Sequence, residues 1–298
     1  MIVGLGANSV DFVCHAPAAP AASGPLSKQR LVHHRLSCGG QVATALSACT
    51  RFGLRAQYIG AFGSDSNGTL IKSALAELGI NLDFAVARPV SNQLAVILID
   101  QSTGERMVLW DRDERLRLTE AEVRADAIAG ASLVHVDDVD VDASIRAATI
   151  ARAMGVPVTT DIDRAIDGID KLIATATHPI FSEHVATEIT GDADPEGALR
   201  KLRKTHAGLL TITLGAAGAI ALDGETCIRV SGFAVKALDT TGAGDVFRAG
   251  FIYALLQSRP TQQILRFANA AAALSCTKSG AISGVPSLDE VRALAGPA

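Results

Sequence analysis

An α/β fold with a mostly parallel central sheet is the class this sequence predicts, and three observations predict it. Short apolar runs alternate with helical patterns along much of the 298-residue chain. The first run, Ile2 to Leu5, leads into Gly6, as strands do that open a ligand crevice at their C-terminal edge. Near the far end, Asp239-Thr240-Thr241-Gly242-Ala243-Gly244-Asp245 stands just before a small, apolar helical run from Ala249 to Leu256. That arrangement brings bare backbone N–H groups up to an anion at a helix N-terminus.

Between these ends each stretch has its own reason. Asp11 follows the first strand, and residues 15–30 are rich in Ala, Pro, Ser and Gly, which suits a connection. Gly39-Gly40-Gln41 leads into a small-residue helix, Val42 to Cys49, that ends near Gly53; adjacent glycines let a ligand lie against backbone. Gln57 to Ala61 reads as a strand, Gly63-Ser64-Asp65-Ser66-Asn67-Gly68 as a polar turn, and Leu70 to Leu78 repeats at helical spacing before Gly79. Residues 84–112 change character: Ala95 to Asp100 and Arg106 to Trp110 are two β-runs around Gln101-Ser102-Thr103-Gly104-Glu105, a hairpin. Trp110, the only tryptophan, reads as packing of this hairpin in preference to a stacking platform.

From Leu133 the βα alternation resumes, with strands at Leu133 to Val136 and Val156 to Thr160 around a helix that runs through Ala153. Asp137, Asp138 and Asp140, then Asp161 and Asp163, fall at the strand ends, where side chains face the crevice. Most are equally readable as solvated loop acids or helix caps. Two of them in a pocket would suit a polyhydroxyl or amine-bearing substrate and would repel an anionic sugar acid. Pro179 to Phe181 and Leu209 to Thr213 read as strands, Ala219 to Leu222 and Thr226 to Val230 as a hairpin about Asp223-Gly224, and Ile264 to Cys276 as a helix.

The Gly242-Ala243-Gly244 stretch suits phosphate, because glycine permits the tight geometry and the helix dipole favours an anion. Asp245 sits where the same dipole would keep a carboxylate ionised and able to accept a proton. Taken alone, the stretch also reads as an ordinary capped helix.

The full string Asp239 to Asp245, with Val246 and Phe247 behind it, resembles the signature of the ribokinase-like (PfkB) family of carbohydrate kinases. Gly6 with Asp11, the Gly39-Gly40 pair, the Gly63 to Gly68 turn and Gly215-x-x-Gly218 after Thr213 follow in that family's order. The resemblance implies one kinase domain over 1–298: a three-layer α/β/α sandwich with a small β-sheet lid from segments about 12–36 and 84–112. It implies ATP-dependent phosphorylation of a hydroxyl on a small, ribose- or fructose-like carbohydrate, with Mg²⁺. By the same resemblance Gly242, Ala243 and Gly244 form the anion hole and Asp245 is the catalytic base. Asp11, Gly39, Gly40 and Gln41 then contact the sugar together with Asp245. Thr213, Gly215, Gly218, Thr241, Gly242, Gly244, Asn269 and Gly280 surround the nucleotide. Asp239, Thr241, Gly280 and Gly284 hold a monovalent cation such as K⁺.

Two departures from the family pattern matter. Gln41 and Thr44 stand where it has asparagines or small residues, so the contacts that choose the sugar differ. Its N-x-x-E becomes Ser182-Glu183-His184-Val185. Either Glu183 takes over in organising magnesium, or the ion is held mainly by phosphates and water.

Composition narrows the alternatives. A hydrophobic share of 48% with 19% charged residues is that of a core-rich globular chain. A net charge of −4 without a basic stripe argues against nucleic acid. No uncharged apolar run of about 18 residues supports a membrane span, and five scattered cysteines without a C-x-x-C pair suit a reduced, cytoplasmic setting. Gly4-Leu5-Gly6-Ala7-Asn8-Ser9 lacks the third glycine of a dinucleotide-binding dehydrogenase. A nucleoside kinase is the alternative within the enzymes, although 4% aromatics argues against a base-stacking pocket, and a non-catalytic sugar or nucleotide sensor is the alternative outside them. A hairpin sheet with one apolar face must cover it, which points to a homodimer through the lid.

Overall fold

A computed structural model describes residues 1–103 and 106–296. In chain order its elements are β1 (Ile2–Leu5), β2 (Ser9–Ala16), β3 (His33–Gly39), α1 (Gln41–Arg51), β4 (Ala56–Ile59), β5 (Ala61–Gly63), α2 (Ser66–Glu77), β6 (Val86–Arg88), β7 (Leu94–Asp100) and β8 (Arg106–Asp111). There follow β9 (Leu133–Asp137), α3 (Val141–Ala153), β10 (Val158–Asp161), α4 (Ile169–Thr175), β11 (Ile180–Ser182), α5 (Glu183–Thr190), α6 (Pro195–Arg203) and β12 (Leu210–Thr213). The hairpin β13 (Ala219–Asp223) and β14 (Thr226–Val230) leads to α7 (Ala243–Leu256), α8 (Thr261–Ser275) and α9 (Leu288–Ala295).

The central sheet runs β4-β1-β9-β10, all parallel, and continues through bridges at Thr159–His178 and Ile162–Phe181 into β11-β12-β13-β14. Only the β13–β14 end is antiparallel. Both faces are buried, as a parallel sheet requires. Ile2, Ala56, Tyr58 and Leu133 pack under α1, α7, α8 and α9. Val3, Leu5, Val134, Val136 and Val158 pack under α3 to α6. The result is the three-layer α/β/α sandwich.

The second sheet, β3-β2-β7-β8, stands apart from it. Its strands come from residues 9–39 and 94–111, so the connection expected at 15–30 is a loop between two paired strands, and β2 begins earlier than local pattern suggests. The reason is non-local: β2 lies between β3 and β7, so its polar and apolar residues alike are covered. The β7–β8 hairpin forms as expected; Gly104 and Glu105 of its turn lie outside the described residues. Val13, Ala95, Ile97 and Ile99 make a small core on one face. Trp110 corrects the expectation of packing: it is 62% exposed on the edge strand, opposite Ala95. The expected strand 57–61 breaks at Gly60, after which β5 leaves the central sheet to pair with β6. Asp65 caps α2 by accepting from Gly68 N (2.9 Å) and also takes Asn92 N (3.1 Å), so that polar turn is structural.

Candidate active site

The site is built at the C-terminal ends of β1, β9 and β10, where the N-termini of α1 and α7 meet. Gly242 caps α7 with φ 76°, in the left-handed region that favours glycine, and an added Cβ would lie 2.8 Å from Ala281 Cβ. The Gly242 position also nears Thr44 Cγ2 of α1 (3.2 Å from an added Cβ). At the start of α1, Gly40 has φ 95° and stands so tight on Asn8 that any side chain would collide. Two glycine-led helix starts thus face one crevice. Gly244 and Asp245 lie in the first turn of α7, whose N–H groups have no intrahelical acceptor.

Asp245 is not alone. Its carboxyl shares a hydrogen bond with Asp161, at the end of β10, and Asp161 forms a 2.6 Å ion pair with the buried Arg248. Burial pushes the Asp245 carboxyl well above the usual carboxylate range, and the Asp161 charge pushes it further; Arg248 opposes both. The expectation that the helix dipole alone keeps Asp245 ionised is therefore corrected. Desolvation and a second acid raise the carboxyl against the pull of the dipole and of Arg248. Arg248 was invisible as a site residue, since it falls in an apolar helix. A lone charge among the buried residues of α7 was the available signal.

Asp11, on β2, is 4% exposed, accepts from Ser9 Oγ at 2.7 Å, and stands so close to Gly39 that a Cβ there would collide with it. Burial raises its pKa to about 6, against the lowering effect of Ser9; Asp239 raises it and Arg35 lowers it. Gln41 opens α1, half-buried, two residues after Gly39. The Thr44 hydroxyl is buried without a hydrogen-bond partner.

The strand-end acids divide. Asp137 accepts from Ala7 N (2.6 Å) and Val139 N (3.0 Å), Asp138 binds Arg164 and Asp163 N, and Asp140 binds Arg112 (2.8 Å) and Leu118 N (3.1 Å). These three are buried braces, neither solvated nor turned over to a ligand by their own partners. Asp161 is the acid the structure brings to Asp245.

Thr213 ends β12, and Gly215–Ala217 forms a short 3-10 turn closed by Leu214 N to Gly218 O (2.8 Å). Gly218 stands against the backbone of Val230 and Gly232, and Asn269 of α8 donates to Val230 O (3.0 Å) and Ser231 O (3.2 Å). Thr213, Gly215, Gly218 and Asn269 are thus drawn into one wall. On the other side of the loop, Asp239 accepts from Thr241 N (2.9 Å), Gly280 N (2.8 Å) and Arg35 Nη2 (2.9 Å), while Gly284 N donates to Gly280 O (2.8 Å). The Thr241 hydroxyl is buried without a partner.

Glu183 is exposed at the start of α5, whereas Val185, at the position of the family's glutamate, is buried in the core. Among the described residues no group of three or more His, Cys, Asp or Glu is arranged to hold a metal. No helix among them is long and apolar enough to cross a membrane.

The sequence model of pfkB family carbohydrate kinases matches residues 7–288. A ribokinase from Haemophilus influenzae is 31% identical over 96% of this chain and 95% of its own, and a probable fructokinase-5 from Arabidopsis thaliana is 28% identical over 96% and 94%. The crystal structure of a candidate ribokinase from Agrobacterium tumefaciens superposes with a TM-score of 0.92 at 29% identity, over 99% of this chain and 96% of that one. With the signature loop at the head of α7 and the family match spanning nearly all of it, the chain belongs to the pfkB family of carbohydrate kinases, phosphotransferases whose acceptor is an alcohol group.

Proposed function

We propose that this protein transfers the γ-phosphate of ATP to a hydroxyl of a small ribose- or fructose-like sugar, with Asp245 as general base. The observation that carries the reading is the Asp245 carboxyl in the first turn of α7, beside the glycine-capped N–H groups and a second acid that shares its proton. Asp245, once ionised, takes the proton of the sugar hydroxyl as that oxygen bonds to the γ-phosphorus, and the bond to the β–γ bridging oxygen breaks. N–H groups of Gly242 to Asp245 hold the charge on the equatorial oxygens, and little else is required of the protein beyond position. Arg248 keeps Asp161 charged and fixed, and through it the orientation of Asp245.

Asp11, with the backbone of Gly39 and Gly40 and the Gln41 side chain, orients the sugar. The wall of Thr213, Gly215, Gly218 and Asn269, closed by Thr241 and Gly280, takes the nucleotide. The residues fit a magnesium ion carried in mainly by the phosphates: Asp161 and Asp163 lie close enough to Asp245 to raise its pKa, and Ser182 Oγ is buried without a partner. Exposed Glu183 would reach such an ion only through water. When bound, magnesium would neutralise developing phosphate charge. The second sheet acts as the lid over the sugar within one kinase domain and is covered on its outer face by a second copy of the chain. Five free thiols suit the cytoplasm.

The test is ADP release by the purified protein with Mg-ATP across pentoses, hexoses, ketoses, amino sugars and nucleosides. One sugar class should drive turnover, and Asp245→Asn should lower kcat by about 10² to 10⁴-fold while leaving sugar binding in place. Sugar-dependent turnover that survives in Asp245→Asn would remove Asp245 from the role.

A further inference from the structure

The cation expected beside the signature loop does not fit the residues found there. Both oxygens of the buried Asp239 are engaged: Oδ1 by Thr241 N, Oδ2 by Gly280 N and by Arg35 Nη2 at 2.9 Å. The negative charge that would bind the ion is already matched by a guanidinium. That guanidinium also fills the space at Gly280, where an added Cβ would lie 2.8 Å from Arg35 Nη1 and 2.8 Å from Ser37 Oγ. One residue along the loop, a second guanidinium, Arg106 of β8, donates to Thr240 Oγ1 at 2.7 Å. A monovalent ion placed among Asp239, Thr241, Gly280 and Gly284 would meet like charge in a poorly solvated site, where repulsion is least screened. The Thr241 hydroxyl is a single neutral oxygen and offers no compensation.

We propose that Arg35 is a positioning residue that does internally what a monovalent cation would do from solution. By neutralising Asp239 it holds the Asp239–Thr241 turn and the Gly280 backbone in the geometry that presents the α7 N-terminus, so the protein has no requirement for potassium. Arg35 comes from β3, and the sheet that carries Asp11 therefore also sets the anion loop. The inference rests on reading that loop as the phosphate site.

The experiment compares choline chloride with potassium chloride for the wild type, Arg35→Gln and Arg35→Lys, by calorimetric binding of a non-hydrolysable ATP analogue with Mg²⁺ and by thermal melting. Wild-type affinity should agree within about twofold between the salts, whereas Arg35→Gln should bind about tenfold more weakly in choline and recover when potassium or guanidinium ion is added. Arg35→Lys should stay salt-independent. Wild-type binding that tightens about tenfold or more in potassium would overturn the proposal, as would an Arg35→Gln variant that matches the wild type in choline. If the analogue binds in neither salt, the nucleotide reading fails instead, and melting still decides. A wild-type midpoint equal in both salts, with an Arg35→Gln midpoint raised by potassium or guanidinium, supports the built-in cation; a potassium-raised wild-type midpoint refutes it.

Discussion

In the proposed role of sugar ligand, Asp11 would carry a proton over part of the accessible pH range. Burial raises its pKa to about 6, Ser9 pulls it down, Asp239 raises it and Arg35 lowers it. Only the ionised form offers both oxygens as acceptors to sugar hydroxyls. The KM for sugar should therefore rise as pH falls through about 6, with the KM for ATP unmoved, and steady-state kinetics between pH 5 and 7.5 checks it. A sugar KM that is flat over that range would mean that Asp11 is ionised throughout. Asp245 differs in kind, because burial and the neighbouring Asp161 charge raise it together against Arg248.

The second sheet behaves as an element with one finished face. Val13, Ala95, Ile97 and Ile99 are covered, but every residue of β8 is exposed, and Met107, Val108, Leu109 and Trp110 make that edge strand apolar. Such a surface is a template for association. Light scattering should give the mass of a dimer, and Trp110→Asp should weaken association by about 2 kcal/mol or more without lowering the melting temperature of the monomer. A wild-type monomer at working concentration would end the idea. The same sheet reaches the Asp239 to Asp245 loop through Arg35 and Arg106, so a partner on this sheet would bear on the geometry of that loop.

Across the whole molecule, buried groups titrate against each other. Burial, aided by Arg248, lowers His135 to about 3, and burial lowers His178 to about 4, so these rings favour folding as pH rises through 6.5. Acids act oppositely. Burial raises Asp11 to about 6 and Asp137 to about 8, the latter against the Ala7 N–H and with the Asp138 charge, and each holds a proton that the unfolded chain loses near 3.8. Below 6.5 the two sets offset one another. Above about 7 the imidazoles have mostly lost their protons in the unfolded chain as well, while Asp137 still retains its proton in the folded state, so stability must fall. Urea denaturation of the ligand-free protein should show a loss of about 1 kcal/mol between pH 7 and 9. A flat or rising result would show that Asp137 is ionised in the fold.

Much of this was legible in order along the chain. The βα alternation, the glycine pairs and the Asp239 to Asp245 string are local patterns, and the α/β class, the helix starts of α1 and α7 and the base candidate Asp245 follow from them. What local pattern does not carry is which side chains meet across sequence. Arg35 reaches Asp239 over 204 positions, Asp161 and Arg248 pair between a strand end and a helix, and β2 gains both its neighbours from distant segments. The sequence by itself determined where an anion could be received, because bare N–H groups at a glycine-led helix start are a property of a few consecutive residues. Only the tertiary structure decided the charge state of that site and what neutralises it, because desolvation and ion pairing depend on groups that folding brings together from far apart.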